Sequence, residues 1–206
     1  MSKSIISKKI LFWYDNNKRI LPWRKNTSKE QKLYFTLVSE FMLQQTQVST
    51  VIPYFKRFVQ KIPNFKKLSK ANDQTLMKLW EGLGYYSRAR NLKKSAIMIN
   101  DKFGGILPSN FEDLKSLPGV GDYTSTAIMA IAFNQKFIPL DGNVERILKR
   151  VLYLRNEKDI SKENMQISKN FFGLSERASD YAQAIMELGA LVCRPTSPLC
   201  EKCPIS

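Results

Sequence analysis

The sequence contains no histidine among its 206 residues. Histidine is the side chain that most often serves as a general base near neutral pH, and it is a common zinc ligand. Its absence excludes Ser-His and Cys-His nucleophile pairs as well as histidine-ligated zinc sites. Any acid–base chemistry must therefore come from Asp, Glu, Lys, Tyr or water.

Long apolar segments are also absent. No apolar run reaches about eighteen residues, the length that predicts a membrane-spanning helix. The first residues, Met1 to Ile6, lack the apolar stretch of a secretory signal peptide. We therefore expect a cytoplasmic protein that does not enter membranes.

Acidic residues are scarce, with 18 Asp and Glu against 33 Lys and Arg, which gives a formal net charge of +15. An excess of this size favours a polyanionic partner, most often nucleic acid. A genome-wide bias toward lysine would give the same charge without a ligand. The length allows one large domain or two small lobes, and the 43% of hydrophobic residues can form a core.

The hydrophobic pattern is helical nearly throughout, and no alternating pattern indicates a strand. Apolar residues recur at spacings of three and four in seven segments that begin near Leu33, Val48, Leu76, Leu92, Ala127, Val144 and Tyr181. The helix after Val48 is expected to be interrupted near Pro53, and the helix after Leu92 to end at Gly104-Gly105. The predicted class is all-α with short connections.

A glycine-containing turn is predicted in the segment from Leu117 to Thr124, with sequence Leu-Pro-Gly-Val-Gly-Asp-Tyr-Thr. Gly119 and Gly121 allow positive φ and leave no side chain between the backbone and a ligand. Asp122 or Thr124 could cap the helix that follows. Backbone N–H groups at such a turn can bind a phosphate, although an ordinary turn between two helices has the same composition.

A candidate functional carboxylate follows this turn. The segment Leu140-Asp141-Gly142-Asn143-Val144 begins seventeen residues after Tyr123. Asp141 alone is more often an N-cap than a catalyst. Asn143 is placed to orient the carboxylate of Asp141.

Together the two segments resemble the helix–hairpin–helix DNA glycosylase superfamily. Residues 39–48, Ser-Glu-Phe-Met-Leu-Gln-Gln-Thr-Gln-Val, resemble a segment of MutY-type adenine DNA glycosylases, and the resemblance runs from about Trp13 to the last residue. It is supported by residues 21–24, 83–92 and 183–190. The resemblance implies two helical lobes: a helical-barrel lobe of residues 25–135 that contains the hairpin, and a second lobe of residues 1–24 and 136–206. It also implies that DNA lies across the cleft between them.

The resemblance assigns two carboxylates to the reaction. Glu40 would be the general acid that protonates a flipped adenine, and Asp141 would stabilise or capture the sugar cation, as two carboxyl groups do in glycoside hydrolysis. Glu40 would need a partly desolvated pocket to hold its proton near neutrality. Without the resemblance, Glu40 is interpreted as a solvated acid on a helix.

Tyr123 narrows the predicted activity. Relatives that also cleave the DNA backbone, such as endonuclease III, carry a lysine at this position, and its amine can form a Schiff base. A phenol cannot, so Tyr123 implies a monofunctional glycosylase acting in base excision repair. The alternatives are a thymine-mismatch or endonuclease III-like glycosylase, and a catalytically inactive DNA-binding remnant.

The resemblance also implies how DNA would be bound. Gln44 and Gln45 match residues that wedge into the minor groove, and Tyr85 matches an intercalating tyrosine. Arg24 and Glu187 match positions that line the adenine pocket. Gly119 and Gly121 would contact phosphate. We also expect a run of basic residues to follow phosphates: Arg88, Arg90, Lys93 and Lys94. The predicted partner is double-stranded DNA with a flipped adenine, bound by a monomer associated with the nucleoid.

Three cysteines lie near the C-terminus with the spacing Cys193-x6-Cys200-x2-Cys203. Cys-x2-Cys alone would permit zinc. The spacing resembles three of the four ligands of the family's [4Fe–4S] cluster, whose fourth cysteine would fall at position 209, whereas the sequence stops at Ser206. Three alternatives follow: the sequence is a truncated product, the cluster has an exchangeable fourth ligand, or the cluster is absent. The family's C-terminal Nudix-like domain is also missing, so we expect weaker discrimination between guanine and 8-oxoguanine opposite adenine.

Overall fold

The structure is a computed structural model that describes residues 3–25, 27–153 and 164–206. Within these ranges every regular element is helical, as the hydrophobic pattern predicts. Eleven α-helices follow one another: α1 Lys3–Asn17, α2 Lys29–Leu43, α3 Val48–Lys61, α4 Phe65–Ser69, α5 Asp73–Trp80, α6 Ser87–Phe103, α7 Phe111–Lys115, α8 Asp122–Ile131, α9 Gly142–Val151, α10 Asn164–Phe172 and α11 Ala178–Leu191. Two 3₁₀ turns, Pro22–Arg24 and Cys200–Lys202, complete the described elements.

The chain forms two compact units. The central unit is Ile20–Ile128, and the terminal unit combines Met1–Arg19 with Met129–Ser206. No helix in the described part of the chain is long and apolar enough to cross a lipid bilayer.

The central unit is organised around α2, which packs against α3 and α6. Ser28 begins α2 as its N-cap and accepts a hydrogen bond from the Gln31 N–H at 3.2 Å. The apolar face of α2 is fully buried, including Leu37, Val38 and Phe41. Burial of this face, rather than helix propensity, holds α2 in place.

Helix α3 corrects one expectation from the sequence. It runs unbroken from Val48 to Lys61 through Pro53, so the predicted interruption is wrong. A proline inside a helix removes one backbone donor and therefore one hydrogen bond. Pro53 is exposed, and the buried apolar face carrying Val51, Phe55 and Phe58 maintains the helix across it.

Helix ends in the central unit follow local sequence rules. Asn64, Asn72 and Asn110 begin α4, α5 and α7, each accepting a hydrogen bond from a backbone N–H in the first turn. Gly104 ends α6 in the left-handed conformation, with φ of 61°. The predicted end of α6 at Gly104-Gly105 is thus confirmed.

The terminal unit has its own core. It is formed by apolar residues of α1, α9, α10 and α11, and its largest fully buried members are Ile10, Tyr14, Phe172 and Tyr181. The Tyr181 hydroxyl donates to the Phe172 carbonyl at 2.7 Å, which satisfies the one polar atom of this side chain. This core fixes α9, whose N-cap is Asp141, against α11, which carries Glu187 in its C-terminal half.

Candidate functional site

Glu40 lies within α2 and is only 6% exposed. Its chain neighbours Phe41 and Met42 are fully buried as well. The interpretation of Glu40 as a solvated helix acid is therefore wrong.

The residues after α2 form a tight turn that reaches the hairpin. Gln44 is the C-cap of α2, and its side-chain Nε2 donates to the Gly119 carbonyl at 3.4 Å. Gln45 is exposed and has a φ of 54°, a left-handed conformation that is uncommon outside glycine. Gln45 therefore projects from a constrained backbone rather than from a flexible loop.

The predicted hairpin forms between α7 and α8. Gly119 has a φ of 82°, and a Cβ built there would lie 2.9 Å from Phe41 Cε1 and 2.9 Å from Asn91 Cβ. The Ser95 hydroxyl donates to the Pro118 carbonyl at 2.8 Å and ties the hairpin to α6. Only glycine fits at position 119, for both conformational and steric reasons.

Gly121 lacks the positive φ predicted for it, whereas its contact with phosphate stays a prediction. A Cβ built at Gly121 meets no atom within 4 Å. The backbone at Gly121 therefore faces open space, where an anion can approach. Helix α8 begins at Asp122, whose carboxylate pairs with Lys115 Nζ at 2.6 Å, while Thr124 is buried inside the helix instead of capping it.

The loop before α6 presents aromatic side chains. Tyr85 is 61% exposed with a φ of 46°, and Tyr86 is 39% exposed. Arg88, two residues later, is 6% exposed and donates to backbone carbonyls of the same unit, so the expectation that it follows phosphates is wrong. Lys93 pairs with Asp73 at 2.6 Å.

Two further predicted residues belong to the central unit. Tyr123 is half-buried in the first turn of α8, directly after the hairpin. Arg24 is half-buried in the 3₁₀ turn whose Trp23 packs edge-on against Phe55, with ring centroids 5.3 Å apart.

In the terminal unit, Asp141 is the N-cap of α9. Its Oδ1 accepts hydrogen bonds from the N–H groups of Asn143 at 2.9 Å and Val144 at 2.8 Å. Its Oδ2 accepts a third from Asn143 Nδ2 at 2.8 Å. Asp141 is therefore both the N-cap of α9 and the acceptor of the side-chain amide of Asn143. The three donors fix the direction of its carboxylate and stabilise the negative charge.

Arg146 holds this arrangement from the other side. Its Nη2 donates to Asn143 Oδ1 and to the Gly189 carbonyl, both at 2.8 Å, and its Nε donates to the Cys193 carbonyl at 2.7 Å. A Cβ at Gly189 would lie 2.5 Å from Asn143 Cβ, so α11 approaches Asn143 very closely. The role of Arg146 was not predicted from the sequence, although Arg146 lies three residues after Asn143 and therefore on the same face of α9.

Glu187 is 1% exposed at its side chain and forms an ion pair with Arg19. Arg19 Nε donates to both carboxylate oxygens, at 3.0 Å to Oε1 and 3.1 Å to Oε2. Arg19 was not predicted from the sequence, because no local spacing connects two residues 168 positions apart. A buried carboxylate held by a half-buried guanidinium is a polar group able to hydrogen-bond a ligand.

The three cysteines are free thiols in one loop. Arg150 fixes the start of this loop by donating to the carbonyls of Arg194 at 2.7 Å and Pro195 at 2.9 Å, and its Nη1 lies 3.4 Å from Cys193 Sγ. Burial raises the pKa of the Cys203 thiol, and the neighbouring thiols Cys193 and Cys200 raise it further.

The fit of this loop to an iron–sulfur cluster can be judged from its donors. In the ranges that the structure describes, no group of three or more Cys, Asp or Glu is arranged to hold a metal ion. The donor chemistry nevertheless fits, because three thiols near guanidinium groups are soft ligands of the kind that an iron–sulfur cluster binds as thiolates.

Comparison with known proteins agrees with this geometry. The family described as "HhH-GPD superfamily base excision DNA repair protein" matches residues 38–171, which include the turn after α2, the hairpin and Asp141. Proteins named adenine DNA glycosylase are 44% identical to 95% of the chain in Rattus norvegicus and Homo sapiens, and 39% identical to all of it in Buchnera aphidicola subsp. Acyrthosiphon pisum. The chain spans 39%, 37% and 58% of the length of these three relatives.

Solved structures share the fold. A thermostable thymine-DNA glycosylase superposes with a TM-score of 0.84 at 26% identity, covering 98% of this chain and 93% of that one. Endonuclease III in a non-covalent DNA complex superposes with a TM-score of 0.79 at 23% identity, covering 100% and 94%. The matched fold and the family profile over most of the sequence show that the chain belongs to the HhH-GPD superfamily of base excision DNA repair proteins.

Proposed function

We propose that the chain is a monofunctional adenine DNA glycosylase that hydrolyses the N-glycosidic bond of adenine mispaired with guanine or 8-oxoguanine. The observation that carries this proposal is the 44% identity over 95% of the chain to proteins named adenine DNA glycosylase. The burial of Glu40 and the fixed orientation of Asp141 support it, because the reaction needs one protonated and one ionised carboxyl group.

Glu40 acts as the general acid. Adenine is a poor leaving group until one of its ring nitrogens is protonated, and a buried carboxyl group is suited to deliver that proton. The proton moves from the Glu40 carboxyl to the base, and the electrons of the glycosidic bond leave with the base.

Asp141 stabilises the sugar that remains. Departure of the base leaves an oxocarbenium-like cation, which an anion on the opposite face stabilises. Three hydrogen bonds hold the Asp141 carboxylate, so little reorganisation is needed as the positive charge develops. Asn143 supplies two of these bonds and is a positioning residue. Tyr123 provides no amine for a Schiff base, so water completes the reaction.

DNA binding and base extrusion involve residues of the central unit. An adenine inside a duplex is inaccessible, so it must be flipped out of the stack. Gln45 and Tyr85 are exposed on constrained backbone and can fill the space that the base leaves, with Gln44 beside them. The open backbone at Gly121, next to Gly119, is suited to bind a phosphate.

The adenine pocket is proposed to use Arg24 and Glu187. The buried carboxylate of Glu187 can accept a hydrogen bond from an amino group, and Arg19 holds it in place. Double-stranded DNA is the proposed partner of a monomer associated with the nucleoid. The lobes predicted from the sequence, 25–135 and 1–24 with 136–206, are the proposed functional halves of the protein.

A [4Fe–4S] cluster is the proposed cofactor, ligated by Cys193, Cys200 and Cys203. When bound, the cluster would supply structural order to the loop that carries these three cysteines. Iron and acid-labile sulfide, measured on protein assembled under anaerobic conditions, are expected at about four atoms of each per chain. A protein that folds without either would contradict this assignment.

Single-turnover assays on duplexes with A:G, A:8-oxoguanine and T:G pairs test the function. Glu40→Gln and Asp141→Asn are each expected to reduce adenine release by at least about a hundredfold while duplex binding persists. Glu30→Gln is the matched control, because Glu30 is an exposed acid on the same helix as Glu40. Full activity of both site variants would refute the assigned roles.

One observation favours a second candidate. The solved thymine-DNA glycosylase shares the fold at 26% identity. Release of thymine from the T:G duplex, with adenine left intact, would support that activity instead. Duplex binding without release of any base would identify a non-catalytic DNA-binding protein.

A further inference from the structure

Arg88 has more backbone partners than a phosphate-binding arginine would show. It lies in the first turn of α6 and is 6% exposed. Its Nη1 donates to the carbonyls of Phe41 at 3.2 Å and Met42 at 2.9 Å, to the Gln44 carbonyl, and to the Thr46 hydroxyl at 3.1 Å. These acceptors lie at the C-terminal end of α2, where helix carbonyls lack intrahelical partners.

The other guanidinium nitrogen binds a second segment. Arg88 Nη2 donates to the carbonyls of Leu83 at 3.1 Å and Gly84 at 3.2 Å. The guanidinium carbon also lies 5.4 Å from the ring centroid of Tyr85. One side chain therefore joins the turn after α2 to the loop before α6.

The two joined segments share an unusual backbone conformation. In the described part of the chain, five non-glycine residues have positive φ, and Gln45 and Tyr85 are two of them. Arg88 binds the carbonyl of Gln44 and the carbonyl of Gly84, which belong to the peptide groups directly before these two residues. A side chain that holds both peptide planes can maintain both strained conformations.

We infer that Arg88 is a positioning residue that holds Gln45 and Tyr85 in the backbone conformations from which both insert into the DNA stack. This inference rests on the proposed function. Arg88 itself touches no DNA, because its donors are directed to protein carbonyls. A lysine could not replace it, since one ammonium group cannot present the two separate edges of a guanidinium fork.

The test is a double-mutant cycle in single-turnover adenine release from an A:G duplex. Arg88→Lys is expected to slow release by about tenfold in the parent protein, and by no more than about twofold in the Gln45→Ala/Tyr85→Ala background. Arg57→Lys, the same change at an exposed position of the central unit, is the matched control and should leave the rate unchanged. Equal slowing in both backgrounds would overturn the inference.

Salt dependence separates positioning from phosphate contact. Arg88→Gln, which removes the charge, should leave the slope of log affinity against log salt unchanged, whereas loss of a phosphate contact would reduce it by about one unit. A reduced slope would therefore also overturn the inference. If Arg88→Lys fails to fold, Thr46→Val removes one acceptor and leaves Arg88 in place. Its smaller slowing, about threefold, should likewise disappear in the Gln45→Ala/Tyr85→Ala background.

A fluorescence measurement keeps this inference distinct from the proposed function. A duplex with 2-aminopurine beside the target base reports unstacking whether or not a base is released. Arg88→Lys should reduce the fluorescence gain on binding by at least about fivefold, because Gln45 and Tyr85 would no longer enter the stack together. An equal gain in both proteins would refute the role of Arg88 even if adenine is released normally. Failure of the parent protein to release adenine would refute only the proposed function.

Discussion

Two carboxyl groups of similar intrinsic acidity are given different surroundings by the fold. Glu40 is buried within α2, whereas Asp141 is the half-buried N-cap of α9 and accepts three hydrogen bonds. Different surroundings are the usual way in which enzymes divide acid and stabiliser roles between two carboxyl groups.

Gly189→Ala tests the close packing behind Asp141. The added methyl group would lie 2.5 Å from Asn143 Cβ, so Asn143 and its hydrogen bond to Asp141 must shift. We expect a loss of about 1–3 kcal/mol in the free energy of unfolding, measured in urea, and slower adenine release. Gly142→Ala is the stability control, because its Cβ meets no atom within 4 Å. Equal stability of both variants would show that α11 is not tightly packed on Asn143.

Asp122→Asn tests the charge beside the hairpin. The Asp122 carboxylate stands at the start of α8, where a phosphate is proposed to bind, and it engages Lys115. Removing it relieves repulsion of the phosphate and frees the lysine, so duplex affinity at low salt should rise by about two- to fivefold. Fluorescence anisotropy titration measures this change. An unchanged affinity at every salt concentration would place the phosphate elsewhere.

At the scale of elements, local sequence signals determine where most helices begin and end, and burial against distant residues decides the cases in which those signals mislead. Asparagine caps and the left-handed Gly104 are readable from sequence because they act within one turn. The predicted interruption at Pro53 is wrong, because burial of the face that carries Val51, Phe55 and Phe58 stabilises α3 by more than the loss of one backbone hydrogen bond destabilises it. Such a face is visible as periodicity, but its burial depends on α2 and α5.

The contact between α1 and the start of α11 predicts a pH-dependent stability. Arg177 donates to Asp15 at 2.9 and 2.7 Å, and this hydrogen bonding lowers the pKa of Asp15 while raising the pKa of Arg177. A lowered folded-state pKa means that the stabilisation is complete above the unfolded-state value near 4 and is lost as pH falls through the folded value.

Arg177→Gln should therefore destabilise the protein at pH 7 and have little effect at low pH. Both side chains are partly exposed, so we expect a loss below about 1 kcal/mol, measured by thermal unfolding between pH 7 and 3. Lys136→Gln is the control, because its partner Glu176 is 89% exposed. A difference that persists unchanged to pH 3 would show that Asp15 does not carry the effect.

At the scale of the whole molecule, the net charge of +15 predicts salt-sensitive association. Contact with six or more phosphates would reduce duplex affinity by roughly a thousandfold between 50 and 200 mM salt. Anisotropy titrations over this range measure how steeply affinity falls with salt. The rate of base release at saturating protein is the control, because the chemical step should not depend on salt in the same way. A flat slope would indicate that the charge is merely solvated.

Resemblance to a known family singled out the segments that carry Glu40 and Asp141. The sequence by itself determined the helical class, most helix positions and the hairpin glycine. These features depend on periodicity and on contacts within a few residues, which any local segment contains. The position of Gly119 could be predicted for the same reason, since its left-handed φ is a property of the turn itself.

Only the tertiary structure decided what several charged residues do. Arg88 belongs to a run of basic residues that the sequence predicts to contact phosphates. It is buried instead, because carbonyl groups more than forty residues away accept its hydrogen bonds. Arg19 donates a hydrogen bond to Glu187, which is 168 residues away in the sequence, and Arg146 donates to the Cys193 carbonyl, which is 47 residues away. Such partners are brought together only when the cores form, because the desolvation of a charged group is compensated only where the folded chain supplies the matching acceptors.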